Sequence, residues 1–194
     1  MTRLSSLCVY CGSRDQVDPR HRQAAATLGR ICAERGIRIV FGGGRVGLMG
    51  ICADAALAAG GTVIGIIPHH LNEIEIAHQR VSELYLVDSM HERKQMMFEM
   101  SDAFAVLPGG IGTLDETFEI VTWRQLRLHD KPIIVLNSAG YWRPFLDMID
   151  HIIDSGFASR SIRQLFTVVD RVEDIIPAIQ AAPVSMVADA PQRL

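Results

Sequence analysis

The stretch Ala103-Phe104-Ala105-Val106-Leu107-Pro108-Gly109-Gly110-Ile111-Gly112-Thr113-Leu114-Asp115-Glu116 decides the fold. Its first five residues are a continuous apolar run, the pattern of a strand buried on both faces of a sheet. The run breaks at Pro108 into a glycine-rich loop, and the loop gives way to a helix start. Such a junction aims several main-chain N–H groups at one spot, where the free amides and the helix dipole both favour an anion. Glu116 closes the motif with a carboxylate about one helical turn from that spot. A phosphate cradle beside an acid is the combination from which a function is built.

The same alternation runs along the chain. Apolar runs at 6–10, 37–41, 62–67, 83–87, 103–107, 132–137 and 166–169 are separated by helical segments. They are continuous rather than alternating, which predicts parallel strands covered on both faces. Asp18-Pro19 opens the first helix and Gly36 closes it, and Gly60-Gly61 closes the second. Ser89 with Glu92 has the spacing of a capping box, and Thr113 with Glu116 and Asp170 with Glu173 repeat it. No internal repeat or low-complexity linker intervenes. The pattern predicts one α/β domain over 1–182, a doubly wound, Rossmann-like parallel sheet with helices on both faces, and a flexible C-terminal tail over 183–194. Ligands bind such sheets at the carboxyl ends of the strands, so the chemistry belongs to the strand-to-helix loops.

Composition narrows the classes. The 194 residues suit a single domain that buries about 70% of its unfolded surface. A formal net charge of -3 argues against a general nucleic-acid binder. Of the 19 basic residues only Lys94 and Lys131 are lysines, so lysine chemistry has two candidates. No run of about 20 apolar residues exists, so no membrane span is expected. The segment from Met1 to Tyr10 does not resemble a signal peptide, and four cysteines without a leader predict reduced thiols and a cytoplasmic location. Cys8-x-x-Cys11 falls on a strand and a turn rather than at a helix N-terminus, which makes it structural rather than redox-active.

Two further elements bear on ligand binding. Gly42-Gly43-Gly44-Arg45-Val46-Gly47 satisfies G-x-G-x-x-G between a strand and a helix. The next strand ends in Pro68-His69-His70, without the acid or arginine that would hold a dinucleotide ribose. A loop approaching a phosphate or sugar through Gly43 and Gly44 is therefore preferred to NAD or NADP, and glycines serving only a tight turn remain the plain alternative. Ser89-Met90-His91-Glu92-Arg93-Lys94 puts two cations near the positive end of a helix, which points to an anionic ligand, with a solvated surface pair as the plain alternative. Met90, Met97 and Met100 share a face with Arg93, a spacing common in cores. The seven histidines show no ligand spacing, so neither a metal nor a cofactor is expected.

Val9-Tyr10-Cys11-Gly12-Ser13, Gly42-Gly43-Gly44-x-x-Gly47-Leu48-Met49-Gly50, Met90-His91-Glu92-Arg93-Lys94 and Pro108-Gly109-Gly110-x-Gly112-Thr113-x-x-Glu116 together resemble the LOG family. Its members are cytokinin riboside 5′-monophosphate phosphoribohydrolases, formerly labelled lysine decarboxylases. The resemblance extends in order from about Leu7 to Phe157. It implies hydrolysis of the N-glycosidic bond of an adenine-type nucleoside 5′-monophosphate to free base and ribose 5-phosphate, by a homodimer with its site near the subunit interface. It places the catalytic pair on Arg93 and Glu116. Substrate contacts carry over to Lys94, the 110–116 loop, Glu75 and Thr122, the last two more weakly. With the glycine loops and Met90, the substrate-binding candidates are Gly43, Gly44, Glu75, Met90, Arg93, Lys94, Gly109, Gly110, Ile111, Gly112, Thr113, Leu114, Asp115, Glu116 and Thr122.

The chemistry read from the residues agrees. N-glycoside cleavage passes through an oxocarbenium-like sugar, and Glu116 beside it would stabilise that charge, hold the ribose hydroxyls or take a proton from the attacking water. Amides of Gly110 to Thr113 would hold the phosphate, and Arg93 would either clamp it or help the departing base carry charge. A pyridoxal decarboxylase would need a lysine in a loop at the carboxyl ends of the strands, and Lys131 precedes a strand instead. Two rivals stay open: an AMP nucleosidase without a hormone role, and a non-catalytic nucleotide carrier or sensor, which would not require Glu116.

Overall fold

A computed structural model describes residues 4–72 and 77–182. The tail over 183–194 and Glu75 lie outside the described residues. All seven apolar runs are strands: β1 Ser6–Tyr10, β2 Arg38–Phe41, β3 Val63–Pro68, β4 Glu83–Val87, β5 Ala103–Val106, β6 Ile133–Leu136 and β7 Thr167–Val169. They form one sheet in the order β4-β3-β2-β1-β5-β6-β7, every neighbouring pair parallel.

Successive residues of each central strand face opposite sides, so the runs must be apolar throughout. Leu7 and Val9 of β1, with Ile39 and Phe41 of β2, face a layer made of α1 Pro19–Glu34, α2 Gly47–Ala58 and α7 Ile175–Ala181. Cys8 and Tyr10, with Val40, Phe104 and Val106, face the layer of α4 Met90–Glu99, α5 Ile111–Gln125 and α6 Arg143–Asp154. A four-residue helix, α3 His69–Asn72, follows β3. All four cysteines are unpaired and buried, and burial pushes their thiols up, that of Cys32 to about 12. Such thiols are packing groups rather than nucleophiles.

Local signals account for most helix ends. The Asp18 carboxylate accepts the Arg20 N–H at 2.8 Å and opens α1. Gly36 and Gly60 take the left-handed turns after α1 and α2, with φ of 65° and 76°. Ser89 caps α4 by accepting the Glu92 N–H at 3.1 Å, while the Glu92 carboxylate accepts the Asp88 N–H at 2.9 Å. Two expected boxes do not form. The helix α5 starts at Ile111 with Gly110 as its N-cap, so Thr113 is the third helical residue and not the cap. It is buried beneath Gly109, where a Cβ would come within 2.1 Å of its hydroxyl oxygen. Asp170 instead accepts from the Asn137 side chain at 3.1 Å, joining the ends of β6 and β7, and the short turn Val172–Asp174 starts one residue later without a side-chain cap.

The strand order reverses at β1. Its neighbours β2 and β5 lead to helices on opposite faces, leaving a crevice above the carboxyl ends of β1 and β5. That switch point is where a doubly wound sheet receives its ligand.

Candidate functional site

A cavity of about 660 Å³ opens at this crevice, within the ~300–1,000 Å³ range of small-molecule sites. Its walls come from several parts of the chain. The end of β1 supplies Val9 and Cys11 to Arg14, and the start of α1 supplies Val17, Asp18 and His21. Gly42, Leu48 and Met49 come from the β2–α2 junction, and Leu71, Met90 and Arg93 from α3 and α4. Residues 108–113 with Asp115 and Glu116 form the remaining wall, and Tyr141 closes over it.

The N-terminus of α5 points into this space. Gly110 is its N-cap and no side chain caps it, so the amides of the first helical turn keep their capacity to bind an anion. Gly110 and Gly112 have open space where a side chain would be, which lets a ligand approach the backbone. The preceding loop is held firmly. The Gly12 N–H donates to the Pro108 carbonyl at 3.0 Å, and the Tyr141 hydroxyl donates to the Gly109 carbonyl at 2.6 Å. Glu116, the sixth helical residue, lines the same cavity.

Arg93 is buried, 4% exposed, and fixed by main chain. Its Nε donates to the Ile66 carbonyl at 3.1 Å and one terminal nitrogen to the Gly42 carbonyl at 2.5 Å. The other terminal nitrogen lies 3.7 Å from the Met90 sulfur. Carbonyls at the ends of β2 and β3 thus compensate the desolvation of this cation. Gly42 is required for the approach, since a Cβ there would lie 2.0 Å from the guanidinium.

The other glycine loop is turned inward. The Gly47 N–H donates to the Asp15 carboxylate at 2.9 Å and the Leu48 N–H to the Gly12 carbonyl at 2.9 Å. The chain's own acid therefore sits at the N-terminus of α2, where a phosphate would otherwise bind. The Gly43 carbonyl accepts the His78 N–H at 2.9 Å, and Gly44 pairs with Ala77. Gly43 and Gly44 accordingly do not line the cavity, contrary to expectation, and only Gly42 of the triplet does.

Of the other expected residues, Met90, Gly109, Gly110, Ile111, Gly112, Thr113 and Asp115 meet at the cavity with Arg93 and Glu116. Leu114 does not, because it packs against the core between the sheet and α5. Lys94 lies outside the lining and spans α4 to α5, with Nζ 3.2 Å from Asp115 and 3.1 Å from Glu119. Burial works against its charge, but Glu119 and Asp115 more than offset this and raise its pKa. Thr122 is exposed on α5 and also outside the lining. Ser13, Arg14, His21, Leu48, Met49 and Tyr141 line the cavity without having been singled out as binding residues. For Ser13 and Arg14 the signal was available, since they follow the central strand at its carboxyl end. His21 and Tyr141 carry none, because packing brings them there from a helix and a distant turn.

A Schiff-base role finds no lysine in this cavity. Lys131 donates to the Phe98 carbonyl at 2.7 Å, lies 4.0 Å above the Phe98 ring, and leads into the amino end of β6. The residues present do not fit pyridoxal chemistry.

Fold and site define a class: a doubly wound α/β protein whose cavity at the topological switch point is lined by a helix N-terminus, Glu116 and the buried Arg93. A family model described as "Possible lysine decarboxylase" matches residues 49–179, more than half of the chain. A cytokinin riboside 5′-monophosphate phosphoribohydrolase of Rhodococcoides fascians is 44% identical over 177 residues, which cover 91% of this chain and 89% of the relative. The enzyme of the same name, LOG, from Oryza sativa subsp. japonica is 41% identical over 175 residues, covering 90% of this chain and 72% of the relative. The chain belongs to this family, the LOG family that its motifs resemble. Among solved structures, the molybdenum cofactor binding protein of Rippkaea orientalis superposes with a TM-score of 0.69 at 22% identity, covering 93% of this chain and 98% of that chain. The molybdenum cofactor carrier protein of Chlamydomonas reinhardtii gives 0.70 at 20% identity over the same shares. At those identities the likeness concerns the fold.

Proposed function

We propose that the protein hydrolyses the N-glycosidic bond of adenine-type (cytokinin) riboside 5′-monophosphates, releasing free base and ribose 5-phosphate. One observation carries the reading: the N-terminus of α5, which no side chain caps, and Glu116 line the same cavity. The names of relatives at 41–44% identity support the substrate class.

In this reading the amides of Gly110 to Thr113 hold the 5′-phosphate and so fix the ribose against Glu116. The carboxylate stabilises positive charge developing at the anomeric carbon and takes a proton from the attacking water. Arg93 serves the opposite charge. Its Nε and one terminal nitrogen are committed to the Ile66 and Gly42 carbonyls, so it acts as a fixed cation beside the departing base rather than as a two-pronged phosphate clamp. Lys94 offsets the charge of Asp115, reducing the repulsion an incoming phosphate meets at the rim.

The reading extends to a cytoplasmic homodimer acting in cytokinin biosynthesis. Unpaired, buried cysteines support a reducing compartment. Leu126 and Leu128, 54% and 66% exposed just beyond α5, support self-association along that helix. Light scattering on a sizing column tests the dimer. The activity is tested by incubating the protein with AMP, N6-prenylated AMP and adenosine, then separating free base by chromatography. Base from the monophosphates but little from adenosine is expected. Equal use of adenosine and AMP contradicts the phosphate cradle, and a preference between the two nucleotides separates the cytokinin reading from a plain AMP nucleosidase.

A further inference from the structure

The loop that presents the α5 N-terminus is built from residues with little conformational restraint of their own. Gly109 and Gly110 are consecutive glycines, so the peptide between them can rotate unless something outside it sets its plane. Across a trans peptide, the carbonyl of one residue and the N–H of the next point in opposite directions, and no described peptide bond is cis. The direction of the Gly109 carbonyl therefore dictates the direction of the Gly110 N–H.

That carbonyl is held by the Tyr141 hydroxyl at 2.6 Å. The previous carbonyl, of Pro108, is held by the Gly12 main chain at 3.0 Å. One restraint is thus backbone and cannot be mutated away simply, while the other is a single side-chain hydroxyl. The tyrosine is itself held in place. Its ring meets the His21 ring edge-on, centroids 5.3 Å apart at 75°, and the Trp142 ring at 4.9 Å and 82°. His21 is 8% exposed, and burial pushes its imidazole down from the usual histidine range, so it packs as a neutral ring at pH 7. A turn with two left-handed residues, Ala139 at φ 54° and Gly140 at φ 74°, delivers Tyr141 to this place. Alanine rarely adopts that conformation, so the turn is sustained by the packing of Tyr141 and Trp142 beyond it.

We propose that Tyr141 is a positioning residue for phosphate recognition: its hydroxyl sets the plane of the Gly109–Gly110 peptide so that the Gly110 N–H faces the 5′-phosphate. The proposal rests on the phosphoribohydrolase reading and adds to it the residue that orients the cradle. Tyr141 does none of the bond breaking, and its effect passes through a main-chain amide.

Tyr141→Phe removes the hydroxyl and keeps the ring against His21 and Trp142. The experiment measures ribose 5-phosphate binding by calorimetry, steady-state kinetics with AMP and with adenosine, and the thermal midpoint. The expected result is a rise of about five- to tenfold in both the Kd for ribose 5-phosphate and the KM for AMP, with kcat within about twofold. Turnover of adenosine, which has no phosphate to orient, should hardly change, so the preference for AMP shrinks. Unchanged Kd and KM overturn the proposal. So does a fall in kcat at constant KM, or an equal loss on AMP and adenosine, which is the mark of general damage to the fold. A wild-type protein that neither binds ribose 5-phosphate nor releases base contradicts the enzymatic reading itself, an outcome distinct from any behaviour of the variant.

Discussion

Arg93 and Gly42 form one unit: the guanidinium donates to the Gly42 carbonyl at 2.5 Å and occupies the space where any other residue at 42 would carry its Cβ. Two motifs that read separately in the sequence, the glycine triplet after β2 and the basic pair on α4, are thereby a single device. The glycine makes room for the arginine, and the carbonyl anchors it. Gly42→Ala places a methyl group 2.0 Å from a guanidinium nitrogen, so the arginine must shift. A displacement of about 1 Å is expected to lower kcat/KM by roughly 10²-fold while the protein remains folded. Circular dichroism and base-release kinetics check this, and near wild-type kinetics would show that the placement of Arg93 is unimportant.

The two sides of the α5 junction should respond differently to the same methyl group. At Gly112 nothing lies within 4 Å of an added Cβ, and the backbone is already helical. Gly112→Ala should therefore stabilise the fold by up to about 1 kcal/mol while narrowing the approach to the phosphate cradle. A thermal midpoint that holds or rises, together with weaker ribose 5-phosphate binding, is the expected pair of results. At Gly109 the added Cβ lies 2.1 Å from the buried Thr113 hydroxyl, so Gly109→Ala should lower stability and binding together. Identical behaviour of the two variants would contradict this division.

Acid should destabilise the protein before its carboxylates titrate. His21 and His129 both have pKa values lowered, first by burial. Protonating His129 would also forfeit its acceptance of the Lys131 N–H at 3.1 Å. The unfolded chain binds these protons near pH 6.5 and the folded one only at lower pH, so the unfolded state holds more protons in between. Stability is complete above about pH 6.5 and falls as the pH drops from there toward the folded pKa values. Denaturation midpoints between about pH 5 and 8 test this window, and His129→Gln should reduce the slope. A midpoint that is flat or rises on acidification would overturn it.

The fold was legible because a doubly wound sheet requires continuous apolar strands, and every such run, from Ser6–Tyr10 to Thr167–Val169, is a strand. The strand-to-helix junction before α5 was legible for the same local reason, since a strand, two glycines and a helix start are contiguous in the chain. What spacing could not resolve was how an element is used. Thr113 with Glu116 has the separation of a capping box, yet α5 starts at Ile111 because Thr113 is buried beneath Gly109. The Gly42-x-Gly44-x-x-Gly47 loop has the look of a second phosphate cradle, but Asp15, 32 residues before Gly47, supplies the anion from within the protein. Lys94 sits next to Arg93 in the chain, yet one side chain enters the cavity and the other bridges two helices. Contacts made over long chain separations decide the last two. Tyr141 illustrates the converse, a residue without a local motif that a turn and two aromatic neighbours carry to the site.

The central claim is that Glu116 stands beside the anomeric carbon of a ribose whose phosphate is held at the start of α5. The most direct measurement is release of free base from AMP and prenylated AMP by Glu116→Gln, alongside calorimetric binding of ribose 5-phosphate to the same variant. The expected result is a fall in base release of about 10²–10⁴-fold with ribose 5-phosphate binding and the fold retained. Base release at the wild-type rate would contradict the claim and leave the cavity as a nucleotide-binding site without this chemistry.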